Sequence, residues 1–134
     1  MPKKLEHIGI AVSNLDESEK LFEKLLGTTS YKREEVLSEG VITSFFKIGD
    51  IKIELLASTK ADSPIAKFIE KKGEGIHHLA FESENITTEL SEMNKKGFAL
   101  INESPKNGAD NKKIAFLHPK STNSVLVELC QEKS

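Results

Sequence analysis

The sequence predicts an α+β fold made of two βαβββ modules. Three observations lead there. Short segments of alternating apolar and polar residues are followed by helical segments with recognisable caps. The order of these segments then runs through a second time. Finally, an offset of 71 residues pairs His7 with His78, Asn14 with Asn85, Leu15 with Ile86, Lys24 with Lys95 and Phe45 with Phe116. A fixed offset of this kind marks an internal repeat, and it changes the meaning of every motif that falls inside it.

Each element follows from its residues. LEHIGIAV (5–12) puts Ile8, Ile10 and Val12 on one face and His7, Gly9 and Ala11 on the other, as a strand does. SNLDESEKLFEKLLG (13–27) reads as a helix capped by Ser13 or Asn14, with acids in its first turn, the apolar set Leu15, Phe22, Leu25 and Leu26, and Gly27 as its stop. A weak strand is expected near 31–37. Two stronger ones follow over 41–50 and 51–57, joined at Gly49-Asp50. Ser63 and Pro64 open a connecting helix over about 62–73 that carries Ile65, Phe68 and Ile69. The second round gives a strand and helix over 78–98, a polar loop over 104–113, and a strand pair over 112–130. Beyond the second hairpin the offset becomes 74, which aligns Ile53-Glu54-Leu55 with Val127-Glu128-Leu129. The expected organisation is a single domain over 1–134, with module one at about 5–60 and module two at about 76–131.

Composition narrows the function. With 134 residues, 37% hydrophobic and 30% charged, the chain suits one soluble globular domain. A net charge of -2 gives no general attraction to nucleic acid or to anionic membranes, and neither is expected as a partner. The single cysteine, Cys130, rules out an internal disulfide, and its apolar neighbours predict a buried, inert thiol. With no apolar run of bilayer length and no signal-like segment, the expected location is the cytoplasm.

Four residues stand off the core faces. In 5–12 it is His7, and in 51–56, where Ile51, Ile53 and Leu55 form the core set, it is Glu54. In GIHHLAF (75–81), His77 shares parity with Leu79 and Phe81, which leaves His78 opposite. In 125–129 the core set is Val125, Val127 and Leu129, with Glu128 opposite. A lone strand histidine is more often structural, and a lone outward glutamate is more often solvated. Here, however, each half supplies one histidine and one glutamate at equivalent places. Two imidazoles and two carboxylates suit one divalent metal ion such as Co, Mn, Zn, Ni or Mg. Gly9, Ala11 and Ala80 are small neighbours expected to leave room for it.

Paired modules carrying His and Glu in this way resemble the vicinal oxygen chelate (glyoxalase/bleomycin resistance) superfamily, whose two modules form a curved mixed sheet around a metal. The segments LEHIGIAV, KIELLAS, DSPIAKFI, GIHHLAF and FLHPKSTNSVLVELC, in this order and spacing, are most similar to the methylmalonyl-CoA epimerase family. The resemblance covers nearly the whole chain. It implies the metal ligands His7, Glu54, His78 and Glu128, and an isomerase that interconverts (R)- and (S)-methylmalonyl-CoA through a metal-stabilised enolate. Some bacterial family members carry a proton-transfer glutamate on the strand after an EGV stretch. This chain reads EGVITSFF there and has Thr43 at the matching position. The resemblance then points to Glu128 as one base, with Glu54 or a metal-bound water serving the other face.

The implied partner is an acyl-CoA thioester, and the basic residues Lys112, Lys113 and Lys120, together with His118, are candidates to contact it. A homodimer is expected, as is common for the architecture. Two rivals stand beside the epimerase. One is a glyoxalase I-type enzyme acting on a glutathione hemithioacetal, and the other is a non-catalytic small-molecule binding module.

Overall fold

The computed structural model describes Met1–Lys133. Among these residues eight strands and three α-helices follow the order the repeat requires. The first module comprises β1 (Lys4–Ala11), α1 (Leu15–Leu26), β2 (Lys32–Val36), β3 (Val41–Ile48) and β4 (Ile51–Ser58). The helix α2 (Pro64–Lys72) then leads to β5 (Gly75–Glu82), α3 (Ile86–Lys95), β6 (Lys106–Asn107), β7 (Lys112–Leu117) and β8 (Val127–Glu132). The chain divides into two compact units. One is His7–His77; the other joins Met1–Glu6 to the chain from His78 onward.

Both units have the same strand order: first, fourth, third, second. In one this is β1-β4-β3-β2 and in the other β5-β8-β7-β6. The first and fourth strands run parallel, and the remaining pairs are antiparallel. The helix caps repeat as well. Asn14 Oδ1 accepts the Glu17 N–H at 3.0 Å, and Asn85 Oδ1 accepts the Thr88 N–H at 3.1 Å, so each satisfies an N–H that the first helical turn cannot. Gly27 ends α1 at φ 71°, a left-handed conformation that costs glycine little.

Leu15, Phe22 and Leu26 of α1 pack with Val12, Phe46 and Leu55. In the other unit, Ile86, Leu90 and Met93 of α3 pack with Ala115, Leu117 and Leu129. Burial of each large apolar side chain contributes about 1.5–3 kcal/mol relative to exposure.

Four expectations change. Leu25, assigned to the apolar face of α1, is 69% exposed, because the packed stripe runs 15, 22, 26. Val125 precedes β8 and is 40% exposed, so it lies outside the core. The polar loop over 104–113 contains β6, a two-residue strand paired with β7 and too short to show periodicity. Ala11 does not leave room: it is fully buried, packed with Leu56 and with Ile65 of α2.

Candidate metal centre

The first unit brings His7 and Glu54 together. β1 and β4 are parallel with Gly9 opposite Glu54, so His7 sits two residues before the residue facing that glutamate. Equal parity places both side chains on one face. His7 Nδ1 lies 3.2 Å from Glu54 Oε2, and both residues are 5% exposed. On the other side of β4, Phe45 faces Glu54 and is completely buried.

The second unit repeats this register. Ala80 of β5 faces Glu128 of β8, and His78 lies two residues before Ala80. His78 Nε2 lies 3.3 Å from Glu128 Oε1, with the two residues 5% and 4% exposed. Phe116 faces Glu128 across β7 and β8, and its ring meets His78 edge-on at 5.9 Å. The repeat seen in the sequence is thus a repeat of contacts: histidine to glutamate to phenylalanine, in one order, in each unit.

Burial makes the donor set informative. Ionised carboxylates are rarely buried without compensation, because desolvation disfavours their charge. His7 Nδ1 lies against the carboxylate of Glu54, and His78 Nε2 against that of Glu128. In each unit a carboxylate and an imidazole nitrogen, both kinds of donor that divalent ions accept, lie side by side. The residues fit the group.

His77 behaves differently from its neighbour. Its ring contacts Phe68 of α2 edge-on at 4.9 Å. Burial, with the Lys72 ammonium adding to it, pushes its pKa down to about 4, so it is neutral at pH 7. Thr43, also buried, faces Leu56 on β4 and Glu34 on β2. Its hydroxyl has no acid–base capacity comparable to a carboxylate.

The other candidates scatter. Lys113 is exposed and has the parity of Ala115 and Leu117, the face that carries α3, whereas Glu128 has the parity of Phe116 across the strand pair. Lys112 is buried with its Nζ 3.9 Å from Glu6 Oε2, a carboxylate that sequence reasoning did not single out. His118 Nδ1 accepts the Lys120 N–H at 3.0 Å and caps the short 3-10 turn Pro119–Ser121, while Lys120 itself is exposed. Cys130 is fully buried.

Among known proteins, the model of the Glyoxalase/Bleomycin resistance protein/Dioxygenase superfamily matches residues 6–116, and the chain belongs to that superfamily. Within it, the nearer similarities point to one branch. The human mitochondrial methylmalonyl-CoA epimerase is 37% identical over 96% of this chain and 73% of its own length. The ethylmalonyl-CoA/methylmalonyl-CoA epimerase of Cereibacter sphaeroides is 36% identical over 96% of this chain and 97% of its own. A variant of the Streptomyces coelicolor methylmalonyl-CoA epimerase, solved in complex with 2-nitronate-propionyl-CoA, matches with a TM-score of 0.95 at 30% identity, covering 100% of this chain and 97% of that one. The chain is a member of the methylmalonyl-CoA epimerase family.

Proposed function

We propose that the protein is an isomerase that interconverts (R)- and (S)-methylmalonyl-CoA, with His7, Glu54, His78 and Glu128 serving one divalent cation and the two units acting as a single domain. The observation that carries this is the matched pair of buried His–Glu contacts, in the same strand register in both units, in a chain of the epimerase family. A bound divalent ion supplies a Lewis acid that favours the enolate form of the thioester.

The chain's own residues handle the proton. In one direction the Glu128 carboxylate accepts the α-proton, and the electrons of the broken C–H bond move to the thioester oxygen. A proton returns to the opposite face of the α-carbon from the side of Glu54, and the reverse direction exchanges the two faces. Burial at 4–5% exposure keeps bulk water from competing for either proton. His7 and His78 hold the two carboxylates in place through the 3.2 and 3.3 Å contacts. Thr43 has no carboxylate to offer for the second role.

The epimerase names of the relatives favour this over a glutathione-adduct isomerase or a non-catalytic binder. Among the described residues no helix is long and apolar enough to cross a membrane. A cytoplasmic homodimer completes the reading, with Co, Mn, Zn, Ni and Mg as the metals to compare.

The test is proton NMR of metal-loaded protein with methylmalonyl-CoA in D₂O, with and without chelator, beside His78→Ala. The expected result is loss of the α-proton signal only in untreated wild type. If protein that holds metal leaves that signal intact, the epimerase reading falls. Turnover of a methylglyoxal–glutathione hemithioacetal would then take its place.

A further inference from the structure

Asn107 is the one asparagine of the chain that is followed by glycine. It ends β6, is exposed, and pairs with Lys113 of β7, while Lys106 pairs with Ile114. An asparagine in front of glycine is the dipeptide most open to attack on its side-chain amide by the next backbone nitrogen, because glycine has no Cβ to shield that nitrogen.

The fold keeps Gly108 a glycine. Its φ lies outside the left-handed region, so its backbone would suit other residues, and what excludes a side chain is space. A Cβ there would lie 2.8 Å from Cδ1 and Cγ2 of Ile114, well inside the separation at which carbon atoms attract. The packing of the hairpin over Ile114 thus selects the very residue that makes Asn107 reactive.

One contact opposes the reaction. The Gly108 N–H donates to the Lys112 carbonyl at 2.9 Å, so the nitrogen that would attack is engaged while the hairpin is closed. The hairpin is weakly held, however. β6 has two residues, and the turn that follows places Asp110 and Asn111 at φ 60° and 56°, a left-handed conformation that costs non-glycine residues free energy. Segments with few backbone bonds and exposed side chains open locally long before the global fold does.

We propose that Asn107 is a site of spontaneous covalent modification, gated by opening of the β6–β7 hairpin. In the open state the deprotonated Gly108 nitrogen attacks the side-chain carbonyl carbon of Asn107. A C–N bond forms and closes a five-membered imide. The bond to the side-chain nitrogen breaks, and that nitrogen leaves as ammonia, taking up the proton that the Gly108 nitrogen gave to solvent. Water then opens the imide at either carbonyl, giving aspartate or isoaspartate at position 107. Each product adds one negative charge to a chain whose net charge is -2. The aspartate faces Lys113 across the strand pair, a favourable neighbour that preserves the pairing. The isoaspartate inserts an extra methylene into the backbone, which carries the Gly108 N–H away from the Lys112 carbonyl and undoes β6. Since β7 begins at Lys112, this product loosens the chain beside the buried Lys112–Glu6 contact.

The test is mass-spectrometric peptide mapping of the intact chain held in mildly alkaline buffer made with heavy-oxygen water, which marks imides opened in the protein rather than during digestion. Asn107 is expected to convert before any other asparagine. Urea is expected to speed its conversion about tenfold, the ratio for a closed hairpin favoured by about 1.4 kcal/mol over the open one. Asn111→Val forces a β-branched residue into a left-handed position, so it opens the hairpin and speeds conversion in plain buffer, with hydrogen exchange of the Gly108 N–H rising in step. Asn107→Gln, whose longer side chain would have to close a six-membered ring, gives no product at this position. Earlier conversion at Asn123, which precedes Ser124, or equal rates at Asn107 in buffer and in urea, overturns the proposal.

Discussion

In the first unit the imidazole of His7 meets its carboxylate through Nδ1, and in the second His78 does so through Nε2. Around these contacts the strand registers coincide, but the surroundings do not. Phe45 is fully buried beneath Tyr31 and Lys32, whereas Phe116 is half-buried and turned edge-on to His78. The first hairpin turns at Gly49–Asp50 between two lysines, while the second is bridged by a 3-10 turn and its histidine cap. Residues that set register and donor chemistry match across the repeat, and the residues around them differ.

The largest expected effect breaks the comparison at its centre. Glu128→Gln should lower turnover by about 10²- to 10⁴-fold, the range for loss of a positioned acid–base group, with metal content followed by elemental analysis. Glu54→Gln sharpens the contrast. If the two glutamates serve opposite faces, this variant slows racemisation, while Glu128 still exchanges the α-proton of one enantiomer against D₂O. Equal loss of both signals in both variants would assign them a purely metal-holding role.

Next come the cores. Leu55 and Leu129 occupy matched positions and are 0% and 1% exposed, so Leu55→Ala and Leu129→Ala should each cost about 2–5 kcal/mol in urea unfolding. A large inequality would show that one unit relaxes into its cavity better than the other. The caps follow: Asn14→Ala and Asn85→Ala should each cost about 1 kcal/mol, because each removes one side-chain acceptor from a helix N-terminus.

The smallest effect concerns an ion-pair cluster of the first unit. Arg33 pairs with Asp16 at 2.7 Å and Glu19 at 2.8 Å, tying β2 to α1. Its guanidinium holds the Glu19 carboxyl below the usual value of 4.5. A depressed carboxyl stabilises the fold above its unfolded pKa, and that contribution is lost as pH falls through the folded value. Arg33→Gln should therefore flatten the acid limb of the stability profile below about pH 5, by under about 1 kcal/mol for a surface pair. An unchanged acid limb would show that the pair contributes nothing.

Much of this was legible in the sequence because parity is a strict code. Every strand alternation placed His7, Glu54, His78 and Glu128 opposite their apolar neighbours, and the structure joins them in pairs along those faces. What escaped was whatever parity does not encode. Alternation cannot say that both faces of β1 are covered, so Ala11 was expected beside open space and is instead beneath α2. Helical spacing alone cannot decide which border of a stripe is buried, and Leu25 fell on the wet side. The Lys112–Glu6 contact depends on long side chains reaching between distant strands, which no spacing rule records.

The outer strands carry one more consequence. β2, at one end of its unit's order, reads Lys-Arg-Glu-Glu-Val, and β6, at the end of the other, is the dipeptide Lys-Asn. A terminal strand that is short or densely charged makes a poor template for a further strand from another molecule. Self-association by sheet extension is thereby discouraged at both places. Crowded solutions of this protein should therefore resist fibril growth.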